Sequence, residues 1–192
     1  MIGLIRITIF TLVLTVLLGI GYPYAITGIA QALFPDQANG SLVKDGDKII
    51  GSSLIAQNFA SPKYFHPRPS AAGSNGYDAG GSSGSNLAVT SKDLVKSFGD
   101  RIAAAKKDNN SSDKVPADLV TASASGLDPD ITPEAAQYQA ARVATARNLS
   151  VDQVRLLIDR MTEGRTLGVL GMPRVNVLAI NRELDKLTVA AK

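Results

Sequence analysis

The chain opens with a long apolar run and then changes character. After Arg6 no charged side chain occurs until Asp36, and residues 7–34 are uncharged throughout. A helix needs roughly 20 apolar residues to cross a bilayer core. Lipid offers no partners to backbone groups, so a crossing segment must be helical. The pattern predicts a short flank over residues 1–6 and one membrane helix over residues 7–34. The rival reading is a cleaved secretory signal, with Arg6, an apolar core and Ala30-Gln31-Ala32 as a small-x-small site. Ile26, Ile29, Leu33 and Phe34 extend the apolar character past Pro23 and favour a retained anchor. Gly19, Gly21 and Gly28 are candidates for close packing against another membrane helix, because small residues let backbones approach.

From there the pattern is polar, with short periodic segments. Residues 35–46 read as a linker and residues 47–192 as one soluble domain, large enough for a real core. Residues 48–55 are β-branched with a Gly interruption and predict a strand. Residues 61–86 form a long Gly/Ser/Pro-rich loop. The low complexity of residues 80–85 predicts disorder there, whereas Tyr64-Phe65-His66-Pro67-Arg68-Pro69 is aromatic and stiffened by proline. Ser91 can cap a helix whose Leu94, Phe98 and Ile102 share one stripe. Residues 118–122 read as a short strand. Thr132 and Pro133 then supply an N-cap and first-turn proline for an Ala-rich helix reaching about Arg147. Ser150 opens the next helix, with Val154, Leu157, Ile158 and Met161 on its apolar side and Gly164 as its stop. Residues 173–178 read as a strand passing into a final amphipathic helix over residues 178–187. The order predicts a mixed α/β (α+β) domain, without the regular alternation of a doubly wound fold.

Charge narrows the class. The 192 residues carry a net charge of +3, and the pI is about 9.2. Lys and Arg are scattered, with no run beyond Lys106-Lys107, so nucleic acid is not an expected partner. The chain has no cysteine, which rules out a lipid-modified Cys anchor near residue 20. Arg6 before the apolar run, against near-cancelling charges after it, leans toward a cytoplasmic N-terminus and an external domain. Only 19% of residues are charged, a composition suited to contact with other subunits or lipid.

The search for chemistry finds little. A lone His66 cannot build a histidine-rich metal site. No nucleophile elbow, phosphate loop or HExxH pattern occurs. Asp128 and Asp130 lie in a Gly-Leu-Asp-Pro-Asp turn, where backbone capping is the ordinary role. The expectation is no catalytic residue and no bound metal.

Several ordered motifs nevertheless carry a resemblance. These are Tyr64-Phe65-His66-Pro67-Arg68-Pro69-Ser70, Ser85-Asn86-Leu87, residues 116–129, Ile131-Thr132-Pro133-Glu134-Ala135-Ala136, and Pro173-Arg174-Val175-Asn176-Val177-Leu178. Together with the anchor they resemble the C subunit of the Kdp potassium-transporting P-type ATPase. The departures are Asp130, where that family is expected to have His, and Met172, where it usually has an acid.

The resemblance implies a non-catalytic subunit of a potassium uptake pump in the bacterial inner membrane. It implies a cytoplasmic N-terminus, one membrane helix and an extracytoplasmic domain. Its implied partners are a channel-like A subunit that passes K+ and a P-type B subunit that hydrolyses ATP. The implied role is to stabilise their assembly, with ATP and K+ handled by the partners rather than bound as cofactors. Tyr64, Phe65, His66, Arg68, Asn86, Arg174 and Asn176 become the candidates for partner contact. A proposal attached to the family is that its C subunit raises ATP affinity through Leu149-Ser150-Val151-Asp152-Gln153, making Ser150 and Gln153 candidate nucleotide-binding residues. The same residues read physically as a capping box, the preferred account. The alternatives are an anchored or secreted scaffold unrelated to transport, or a secreted hydrolase with an atypical site.

Overall fold

The computed structural model describes residues 1–190. It forms two compact units, Met1–Ile50 and the chain from Gly51 onward.

In the first unit, α1 (Ile2–Val16), a π-helical turn (Leu17–Gly21) and α2 (Tyr22–Leu33) make one continuous helix. It starts earlier than the uncharged run, because Arg6 ends the run but is itself a good helix former. Pro23 lacks an N–H and its ring crowds the carbonyl one turn back. The helix widens to accommodate it: the Tyr22 amide donates to the carbonyl of Leu17, five residues earlier. No residue of this helix is buried. It is long and apolar enough to cross a membrane. The stretch read as a linker carries a helical turn, α3 (Pro35–Ala38), and a strand, β1 (Leu42–Asp45), paired with β2 (Lys48–Ser52). Gly46, at φ +59°, makes their two-residue turn, a conformation that hairpin turns require and glycine adopts freely.

The second unit is a mixed helix-and-sheet domain, as the sequence pattern predicts. Its elements are α4 (Lys92–Asp108), β3 (Asp130–Ile131), α5 (Pro133–Arg147), α6 (Val151–Met161), β4 (Thr162–Glu163), β5 (Arg174–Asn176) and α7 (Val177–Ala190). A small antiparallel sheet runs in the order β3-β5-β4. α5 packs on α6 through Ala135, Ala136, Ala140 and Ala144, whose small side chains permit close approach. Val154, Leu157 and Ile158 from α6, Val175 from β5, and Ile180 and Leu184 from α7 complete the core. Thr132 caps α5 by accepting from the Ala135 amide, and Asn148 ends it in the left-handed conformation at φ 56°.

Two segments differ from the sequence expectation. Residues 118–122 are not a strand: Ala117–Leu119 is a 3-10 turn. Both Val120 and Thr121 amides return to the Ala117 carbonyl, and Asp118 turns its carboxylate to the Thr132 amide at 2.7 Å. The Gly/Ser-rich loop is folded rather than disordered. Ser70 Oγ donates to the Gly126 carbonyl and accepts from the amides of Ala72 and Tyr77. The Ser83 amide reaches the Ser125 carbonyl. Gly126, at φ +69°, permits this approach, since a Cβ there would meet the Ser83 carbonyl oxygen at 2.5 Å.

The tie between this loop and the helices is made by side chains. The Phe65 amide donates to Asn181 Oδ1 at 2.8 Å, and Asn181 Nδ2 returns to the Phe65 carbonyl at 3.0 Å. The His66 amide donates to Gln139 Oε1 at 2.8 Å, and Gln139 Nε2 returns to the His66 carbonyl. Arg142 reaches the carbonyls of Pro62 and Tyr64, and Arg147 that of Lys63. A buried backbone group without a partner costs about 1–3 kcal/mol. Asn181→Leu would orphan both polar groups of Phe65. We expect it to lower stability by about 2–4 kcal/mol in chemical denaturation, whereas Lys96→Ala on the exposed face of α4 stays within about 0.5 kcal/mol of the parent. Equal effects would contradict the clip.

Candidate functional site

The residues from Tyr64 to Arg68 sit at the junction of the loop with α5 and α7. Phe65 is wholly buried in the core, so its side chain packs within the chain. Tyr64 is half-buried. Its hydroxyl donates to Asp185 Oδ2 at 3.1 Å, and its ring lies beneath the Arg147 guanidinium, 4.9 Å from centroid to Cζ. Arg147 also pairs with Asp185 at 2.8 Å.

His66 borders a groove of about 330 Å³ that is also lined by Pro67, Tyr77, Arg101, Asp108 and Gln139. Burial lowers its pKa from 6.5, and the nearby Arg142 charge lowers it further. Its Nε2 faces the Ser61 carbonyl at 3.2 Å. Burial raises Tyr77 to about 12 and lowers Arg142 to about 10. Gln139, fully buried, uses its whole hydrogen-bonding capacity. Its oxygen accepts from the His66 amide and Arg142, and its nitrogen donates to the His66 and Ala135 carbonyls. The groove is therefore bordered by groups already engaged in holding the loop.

A second set of charges runs along the sheet. Arg68 pairs with Asp128 at 2.9 Å and donates to Thr121 Oγ1. Its Nε lies 4.0 Å from Asp118, beyond hydrogen-bond reach. Arg174 bridges Asp130 at 3.3 Å and Glu163 at 2.6 Å, because β5 lies between β3 and β4 and brings both acids to it. Asn176 donates to the Ser53 carbonyl and to Asp130, while its oxygen accepts from the Ala179 amide at the start of α7. Burial raises the Asp130 pKa. The hydrogen bond from Asn176 opposes that shift, Asp128 and Glu163 add to it, and Arg174 opposes it. Asn86 is exposed and left-handed, at φ 51°. Met172 is exposed. Gly19 and Gly28 lie open on the apolar helix, and Gly21 closes its widened turn.

Ser150 and Gln153 form the capping box at the start of α6. Ser150 Oγ accepts from the Gln153 amide at 3.1 Å, and the Ser150 amide donates to Gln153 Oε1 at 2.9 Å. Leu149, just before the cap, packs on the core together with Val154, the staple that fixes the entry of such a helix. Among the described residues, no group of three or more His, Cys, Asp or Glu is placed to hold a metal ion.

Comparison with known proteins follows the same span. Residues 4–186 match the family described as KdpC, the K+-transporting ATPase c chain. A relative from Acidobacterium capsulatum is 56% identical over 179 residues, covering 93% of this chain and 95% of its own. One from Rhodospirillum rubrum is 56% identical over 174 residues, 90% of each chain. One from Myxococcus xanthus is 53% identical over 184 residues, 95% of this chain and 85% of its own. Each is named a potassium-transporting ATPase KdpC subunit.

Two outcomes follow from the site. The lowered His66 pKa means that the unfolded chain binds the proton more readily. Stability is retained above pH 6.5 and lost as pH falls through the lowered folded value. We expect His66→Gln to shrink that acid-side loss in denaturation curves taken between about pH 5 and 8, and parallel curves would count against it. Gln153→Ala should cost about 0.5–2 kcal/mol by weakening the cap, while Gln153→Glu keeps the box and suits the positive helix start. A Glu variant as unstable as the Ala variant would refute the capping role.

Proposed function

This chain belongs to the KdpC family of K+-transporting ATPase c chains, and from that premise we propose that it is a membrane-anchored, non-catalytic subunit of a potassium-transporting ATPase. The observation that carries the reading is the extent of the match. It runs from the apolar helix through the domain into α7, so anchor and domain are inherited together. In this proposal the subunit joins a channel-like A subunit and an ATP-hydrolysing B subunit and stabilises their assembly. K+ and ATP are handled by those partners. The helix Ile2–Leu33 spans the bacterial inner membrane once, with its N-terminus in the cytoplasm and the domain outside.

Physical features support each part. The helix exposes apolar side chains throughout, a surface that lipid or other membrane helices would cover. Gly19, Gly21 and Gly28 are the positions where a partner helix could come closest. Tyr64, His66, Arg68, Asn86, Arg174 and Asn176 keep partial or full exposure and are the proposed partner contacts of the domain, with Phe65 supporting them from beneath. The engaged side chains of Ser150 and Gln153 favour a structural role over a nucleotide contact. An effect on ATP affinity would then act through assembly.

The test uses the full chain in its native membrane. Alkaline carbonate should leave it in the pellet, and detergent extraction should recover it with multi-span ATPase subunits. The chain lacks cysteine, so Ser111→Cys provides a unique label. It should react with an impermeant maleimide in intact spheroplasts. Release by carbonate, purification without ATPase subunits, or labelling only after lysis would each overturn the corresponding part.

A further inference from the structure

Asparagine is followed by glycine twice in the chain, at Asn39-Gly40 and Asn75-Gly76. Every other asparagine precedes a residue with a side chain. The pair has its own chemistry. The amide nitrogen of the following residue can attack the asparagine side-chain carbonyl, and glycine leaves that nitrogen unobstructed and its backbone free to turn.

The fold treats the two pairs differently. The Asn39 side chain is tied at both ends. Its Nδ2 donates to the Pro35 carbonyl at 2.7 Å and to Gln31 Oε1 at 3.2 Å, and its Oδ1 accepts from Gln31 Nε2 at 3.2 Å. The Gly40 amide, the attacking group of that pair, donates to the Gln37 carbonyl at 3.0 Å. Asn75 is exposed. Its side chain has no hydrogen-bond partner among the described residues, and the Gly76 amide makes no close backbone hydrogen bond there. Around the pair the chain is fixed at its base. Ser70 Oγ holds the Ala72 and Tyr77 amides, and the Asp78 amide donates to the Ala72 carbonyl at 3.2 Å. Gly73 and Gly76, at φ +70° and +75°, turn the chain between those points. Residues 73–76 are thus a small loop closed at its base and open at its tip.

We propose that Asn75-Gly76 is a site of spontaneous deamidation, the one Asn-Gly pair of the two that the fold leaves reactive. The Gly76 amide nitrogen loses its proton and bonds to Asn75 Cγ. The side-chain nitrogen leaves with that proton as ammonia, and a succinimide ring remains. Water then opens the ring. Attack at the former side-chain carbonyl gives aspartate at position 75, and attack at the main-chain carbonyl gives isoaspartate. Isoaspartate carries the former side-chain methylene in the main chain and adds a carboxylate. The extra link falls just before Tyr77, whose amide donates to Ser70 Oγ at 2.8 Å and whose hydroxyl donates to the Arg68 carbonyl at 2.9 Å. Lengthening the chain there works against both bonds. The converted chain therefore anchors the loop that bears Arg68 less firmly. The proposal does not depend on the reading of the chain as a pump subunit.

The experiment incubates the full-length chain, in membranes or detergent, in mildly alkaline buffer made with oxygen-18 water. Each opened ring takes one heavy oxygen from the solvent, and peptide mass mapping reads each site. Asn75 should convert about tenfold or more faster than Asn39, because attack at Asn39 must first break hydrogen bonds. A methyltransferase specific for isoaspartate should label the peptide containing position 75. In denaturant, where the fold protects neither pair, both should convert at similar rates. Asn75→Gln should abolish conversion at that position and leave Asn39 as it was. In the converted chain the Tyr77 amide should exchange its hydrogen faster than in fresh protein. Equal conversion of the two pairs in the folded chain, or faster conversion at Asn39, would overturn the proposal. So would an Asn75 that converts only in denaturant. Unchanged exchange at Tyr77 after conversion would overturn the loss of anchoring.

Discussion

The domain depends on a polar clip that substitutes for a β-partner. Segment 62–66 lies against α5 and α7 with only Phe65 fully buried, yet among the described residues no strand pairs with it. Its backbone must still be satisfied, because buried amides and carbonyls rarely go unpaired. Gln139, Arg142, Arg147 and Asn181 supply the partners, reaching from two helices. Phe65 thereby enters the core as a keystone between them. Burying Arg142 is affordable only because its guanidinium is filled by the carbonyls of Pro62 and Tyr64, Gln139 Oε1 and Asn109 Oδ1.

That arrangement explains what could and could not be read along the chain. The helix starts at Thr132 and Ser150 were legible because caps are local: the Gln153 side chain returns over three residues. The three helices after residue 90 and the passage into α7 followed from period and punctuation. The folded state of the Gly/Ser-rich loop was not legible. Its anchors are pairings such as Phe65 with Asn181, 116 residues apart, and His66 with Gln139, 73 apart. Nothing in local composition distinguishes a buried glutamine that grips a loop from one on the surface of an Ala-rich helix. Residues 118–122 misled for a related reason. Their β-favouring side chains lack a partner strand, and Asp118 is committed to the Thr132 amide.

The candidate site was legible as motifs rather than as geometry. The aromatic and proline-rich segment at Tyr64 drew notice, but its division of labour emerged only in three dimensions, with Phe65 inside and Tyr64 and His66 at the boundary. Arg174 and Asn176 likewise stood out in sequence, while their bridging of β3, β4 and α7 depends on the order of a three-stranded sheet. Hydrogen-bonded backbone and exposed apolar side chains occur together in two places in this chain. The helix Ile2–Leu33 and the closed turn around Leu167 both expose large aliphatic side chains. A subunit that works by contact rather than by chemistry would have these properties: held from within by polar clips, and unsatisfied where it meets its neighbours.

The clip is most directly tested by native-state hydrogen exchange of the Phe65 and His66 amides. If Asn181 and Gln139 hold this segment as part of the core, both amides exchange only through global unfolding, as slowly as the most protected amides of α5. Exchange at the rate of an open loop, while α5 and α7 remain protected, would contradict the account.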